Sequence, residues 1–263
     1  MLVNIMLVLS ILCLSVFINS LALWILLNKS IGIREMIRLT CIAIALNKLL
    51  LTGSGYVLLS LKLKRDEVPV YKTISAFIIL ELFSISPWLI LGFYFGAKVF
   101  LKIPVIFIAI LWLLLIFIII EKNKIINFFK KVIGYFKEIR LNFFIIVPLV
   151  LLNVLLGFAY YFLLFKSFGF FFNRLDVLRI VSVAITVGYL SPAPAGLGFK
   201  ESSMVFLLIH QGFSLKNSIS FTIADRIIST AFYLALGFLF GAETIINEIK
   251  TRLNYARKLP RAR

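Results

Sequence analysis

Within the long apolar runs of this 263-residue chain stand a few ionisable residues whose spacing suggests a shared site. Residues 191–226 read SPAPAGLGFKESSMVFLLIHQGFSLKNSISFTIADR, where Pro194, Gly196 and Gly198 interrupt the apolar pattern and Lys200 and Glu201 follow at once. A half-helix starting at such a break, near Leu197, directs free backbone N–H groups and a positive dipole end inward, which is an anion site. Ser202 and Ser203 add hydroxyl donors. Asp225 and Arg226 lie in the first third of the next apolar run. Helix neighbours point about 100° apart, so each is expected to seek its own partner, Arg226 with Glu201 first. In the first half, Lys48 and Glu81 hold corresponding depths beside a second break, TGSG, which contains Gly53 and Gly55. An ionisable group at bilayer depth costs about 3 kcal/mol on insertion scales and marks a cavity or pathway. The plainer alternative is that these charges only fasten helices together.

Other chemistry is thinly represented. His210 is the single histidine and reads as an interfacial polar residue. Cys13 and Cys41 sit in apolar runs without CxxC or Cys/His spacing, so neither a disulfide nor a metal site is expected. The expectation is no catalytic constellation, no metal and no cofactor.

These residues must be positioned by membrane helices. The chain is 62% hydrophobic and 15% charged, with a mean hydropathy of +1.08, whereas a soluble domain is about one quarter charged. That excludes a soluble globular protein. The net charge of +17 is read as attraction to anionic lipid and orientation by the positive-inside rule, not as nucleic-acid binding. The N-terminus lacks a basic n-region and a cleavage site, and is expected to be a retained span.

Five runs are long enough to cross, at 1–28, 73–97, 103–120, 141–165 and 217–241. Basic clusters at 29–38, 62–72, 122–140 and 250–263 are expected on the cytoplasmic side, which puts the N-terminus outside and the C-terminus in the cytoplasm of a cell-membrane protein. Parity then requires 39–61 and 177–209, each interrupted by glycine or proline, to enter the membrane and turn back. Broken backbone at that depth is tolerated where it is buried in protein or lines a wet cavity.

The halves also match. Gly53, Gly55 and Tyr56 pair with Gly196, Gly198 and Phe199 at a spacing of 143; Lys72 and Glu81 pair with Lys216 and Asp225 at 144; Gly92-Phe93 pairs with Gly237-Phe238 at 145. The expected fold is therefore an all-α polytopic membrane protein, with about five spans and two re-entrant hairpins in an inverted repeat. It is read as one integral domain, 1–263, with half-repeats at about 39–97 and 177–241, an amphipathic interfacial helix at about 122–140 and a basic tail at 247–263. Pro87 and Pro148 are expected to kink their spans, and Phe168–Phe172 to form an interfacial aromatic patch.

The 191–226 pattern resembles the membrane region of the lysylphosphatidylglycerol synthase/flippase family, in which a Pro-Gly-Gly-x-Gly-x-x-Glu motif precedes a span bearing an Arg. Asn47 with TGSGY is similar to that family's first-half motif. By position the motif residues are Pro194, Gly196, Gly198, Glu201 and Arg226. Ala195 stands where the family often has a second glycine, and Tyr56 stands where it often has an acid. The resemblance implies a flippase-like domain for a lipid with a charged or phosphorylated headgroup, in a stand-alone form that lacks the aminoacyl-transferring domain and does not itself aminoacylate lipid.

Three readings fit these residues, the plainest being a scaffold protein with no activity of its own. In the first of the other two, the chain binds and translocates an anionic or polyprenyl-phosphate-type lipid, with Lys48, Lys200 and Arg226 receiving the headgroup and Glu81, Glu201 and Asp225 countering charge or relaying protons. In the second, it is a membrane enzyme, or an accessory subunit, acting on a lipid-linked substrate. A homo-oligomer is compatible with either.

Overall fold

The computed structural model describes residues 2–49, 54–65, 68–100, 130, 134–135, 142–191, 193 and 196–258. The expected span at 103–120, most of the expected interfacial helix, Gly53 and Pro194 lie outside these residues. Eight helices are described: α1 (Leu2–Leu26), α2 (Ile33–Leu49), α3 (Ser54–Arg65), α4 (Val70–Phe100), α5 (Phe143–Ser167), α6 (Arg174–Leu190), α7 (Phe199–His210) and α8 (Leu215–Lys258).

Uninterrupted apolar sequence sets the four long ones. Asn4–Leu26, Val70–Gly96, Phe144–Ser167 and Leu215–Gly241 are each long and apolar enough to cross a bilayer. Large apolar side chains such as Phe144, Tyr94 and Phe238 project from them exposed. That is the expected state where the surrounding solvent is as apolar as the side chain. The chain is an all-α polytopic membrane protein.

The remaining helices form two hairpins. The first pairs 17 residues of α2 with 12 of α3, and the second pairs 17 of α6 with 12 of α7. At 1.5 Å per residue, a 12-residue arm extends about 18 Å, well short of a hydrocarbon core of about 30 Å. Local chemistry explains the second hairpin's ends. Asn173 caps α6 by accepting the Asp176 N–H at 2.8 Å. Ser191 is extended, with φ −73° and ψ 139°, as a residue preceding proline prefers, and α6 stops before it. Gly196 and Gly198 then turn the chain at φ +67° and +82°, values at which a Cβ is strained.

Two of the long helices pack on the other half's hairpin: α4 lies along α6, and α8 along α2. Glycine permits both approaches. A Cβ on Gly92 of α4 would overlap the Thr186 side chain of α6, and one on Gly237 of α8 would overlap Ala45 of α2. The Thr186 hydroxyl additionally donates to the Trp88 carbonyl at 2.9 Å. Meanwhile α1 packs along α5. Pro87 and Pro148 are carried inside α4 and α5, each of which remains one continuous helix.

The expected aromatic patch is only partly superficial. Phe171 is exposed, but Phe170 is buried in a cluster with Phe165, Phe213 and Phe221 that ties the link between α5 and α6 to α8. His210 ends α7, exposed, and Cys13 is exposed while Cys41 is buried.

Candidate functional site

The α7–α8 interface carries two parallel ion pairs. Lys200 and Glu201, adjacent in the first turn of α7, meet Asp225 and Arg226, adjacent on α8. Lys200 Nζ lies 2.9 Å from Asp225 Oδ2, and Arg226 Nη1 lies 3.1 Å from Glu201 Oε1. The geometry follows from the 100° step between helix neighbours, which sends each member of one couple toward a different member of the other.

Asp225 is the most enclosed of the four, with 3% of its side chain exposed. Both oxygens are engaged, because the Tyr160 hydroxyl of α5 donates to Oδ1 at 2.8 Å. Lys200 also stands 5.3 Å from the centre of the Tyr161 ring, within cation–π reach. Glu201 makes a second contact, in which its Oε2 accepts the Gly198 N–H at 2.8 Å. The anion site expected at the start of α7 therefore has one of its backbone donors taken by a carboxylate of the chain itself.

In the first half, Asn47 Oδ1 accepts the Gly55 N–H at 2.8 Å, which fixes the α2–α3 tip. A Cβ on Gly55 would overlap the Ala43 carbonyl, so the two arms close tightly there. Lys48 lies 5.4 Å from the centre of the Tyr233 ring of α8. Among the described residues, neither Lys48 nor Glu81 has an ion-pair partner.

These groups border one cavity of about 700 Å³. Of the residues predicted from sequence, Lys48, Glu81, Gly196, Lys200, Asp225 and Arg226 line it. Glu201, Gly55 and Gly198 act one step back, through Arg226 and through the hairpin tips. The volume lies in the range of small-molecule sites, about 300–1,000 Å³.

Sequence reasoning missed much of the wall. Tyr56, Tyr160, Tyr161, Tyr189 and Tyr233 all line the cavity, as do Ser15, Asn19 and Asn153. The signal for the last three was present, since amides and hydroxyls within an apolar span are as informative as charges. Among the described residues no group of three or more His, Cys, Asp or Glu is arranged to hold a metal.

Spans, broken hairpins and a charged, tyrosine-walled interior cavity define an integral membrane protein with a polar site among its helices. The chain belongs to the lysylphosphatidylglycerol synthase TM region family, whose model matches residues 2–237. Membership makes it a multi-pass membrane protein tied to lipid handling. No curated protein and no solved structure matches it.

Proposed function

We propose that the chain is a flippase-like carrier that binds the anionic, phosphate-bearing headgroup of a lipid in this cavity and moves it across the bilayer while the acyl chains stay in lipid. The observation that carries the reading is the placement of Lys48, Lys200 and Arg226 around one interior cavity of headgroup size. Two of those cations are held by internal carboxylates, so the step is an exchange. A phosphate displaces Glu201 from Arg226 and from the Gly198 N–H, taking over both a guanidinium suited to bidentate oxygen contacts and a helix N-terminus. Lys48, which no carboxylate holds among the described residues, supplies the remaining positive charge.

The same reading makes α2–α3 and α6–α7 re-entrant hairpins of an inverted repeat. Their equal arm lengths and the reciprocal Gly92 and Gly237 contacts support it. It puts the N-terminus outside and the C-terminus in the cytoplasm of a cell membrane, from the basic clusters. The chain is read as a carrier rather than an enzyme.

Native mass spectrometry of detergent-purified protein, wild type beside Arg226→Ala, tests headgroup capture. Retention of a phosphate-bearing lipid by the wild type and its loss in the variant support it. Equal retention of bulk lipid by both returns the charges to helix fastening.

A further inference from the structure

Ser15 and Asn19 stand one turn apart on α1, and Asn153 meets them from α5, near the midpoints of two apolar spans. Ser15 Oγ donates to Asn153 Oδ1 at 2.6 Å, and Asn153 Nδ2 donates to Asn19 Oδ1 at 3.1 Å. An amide carries two N–H donors. After these bonds Asn153 has one donor left and Asn19 has two, and no partner for them is found among the described residues. Unused amide donors at this depth are unfavourable unless a ligand or water meets them.

A ladder that only fastened α1 to α5 would be turned into their seam. Instead all three residues line the cavity. The wall they share differs from the rest: the charged lining residues lie on α2, α4, α7 and α8, and none on α1 or α5. Spare amide N–H donors suit acceptor oxygens. With no cation on this wall to balance a second anion, the acceptors they suit are neutral.

We propose that Ser15, Asn19 and Asn153 form a recognition subsite for the hydroxyl-bearing part of a lipid headgroup, a polyol or glycosyl group attached through the phosphate. The inference rests on the headgroup reading above and deepens it. The ligand's hydroxyl oxygens accept from the spare amide N–H groups, while the phosphate sits with Lys48 and Arg226. A cavity of about 700 Å³ leaves ample room beyond a phosphate for such a group.

The test compares two synthetic lipids with identical acyl chains, phosphatidylinositol and phosphatidylmethanol, bound to the full chain in detergent and read by native mass spectrometry. Both are singly charged phosphodiesters, and only the first carries headgroup hydroxyls. The wild type is expected to retain phosphatidylinositol about tenfold better, the worth of one or two net hydrogen bonds. Asn19→Leu is expected to abolish that preference with phosphatidylmethanol binding unchanged, and Ser15→Ala, which leaves both amides in place, to reduce it. Equal retention of the two lipids by the wild type, with both lost in Arg226→Ala, overturns the subsite and leaves the headgroup reading standing. Failure of both lipids to bind above an uncharged diacylglycerol overturns both. If Asn19→Leu does not fold, the wild-type comparison and Ser15→Ala decide.

Discussion

The two halves of the molecule share a plan and differ in how their charges are spent. Both have hairpin arms of 17 and 12 residues, and one long helix from each, α4 and α8, crosses to the other half's hairpin at a glycine. In the second half every charge at the site is answered, Lys200 by Asp225 and Arg226 by Glu201. In the first half, Lys48 has an aromatic face and Glu81 has no ion-pair partner among the described residues. Packing is thus duplicated while electrostatics is not. The second half is latched by two ion pairs, whereas Lys48 and Glu81 of the first border the cavity with no ion-pair partner among the described residues.

The largest expected break in that comparison is at the most buried carboxylate. Asp225→Ala leaves the Lys200 ammonium and the Tyr160 hydroxyl without their acceptor, and breaking a buried pair this way costs about 3–5 kcal/mol. A large drop in the midpoint of thermal unfolding in detergent is expected. Glu81→Gln removes no ion pair and should leave the midpoint nearly unchanged; equal losses in the two variants would erase the distinction between the halves.

The scaffold similarity is tested next. Gly92→Val and Gly237→Val both force a branched side chain into an occupied helix contact, which typically costs about 1–3 kcal/mol. Comparable destabilisation is expected for the two. A marked loss at one and none at the other would mean that the crossings are not equivalent.

Smaller effects concern binding alone. Glu201→Gln weakens the internal competitor for Arg226 and is expected to raise retention of an anionic phospholipid several-fold, as read by native mass spectrometry. Weaker retention would show that Glu201 positions Arg226 rather than competing for it. Lys48→Gln removes a cation that no carboxylate holds among the described residues, so retention should fall a few-fold while the unfolding midpoint stays near the wild-type value.

Much of the scaffold was legible because bilayer thickness translates directly into runs of apolar residues. Four of the five expected spans correspond to described helices, and the fifth lies outside the described residues. The hairpin breaks were legible from glycine and from the restriction that proline places on Ser191. The Arg226–Glu201 pair followed from which groups occupy the start of α7 and the first third of α8. Partner choice elsewhere did not follow, because it depends on how helices are rotated about their axes. Thus Lys200 with Asp225, the Tyr160 hydroxyl on Asp225 and the Glu201 contact with the Gly198 N–H were not anticipated. The amides at Asn19 and Asn153 were passed over because they carry no charge, although their burial in apolar spans is a comparable signal.

Leaflet exchange in liposomes measures movement of a headgroup through the cavity. Purified protein is reconstituted with an anionic phospholipid labelled on one acyl chain, and a membrane-impermeant reductant is added outside. Wild-type protein is expected to expose nearly all of the label, a Lys48→Gln/Arg226→Ala double variant to leave about half protected as in protein-free liposomes, and the mass of the lipid to stay unchanged. Equal exposure by wild type and double variant would contradict movement through the cavity.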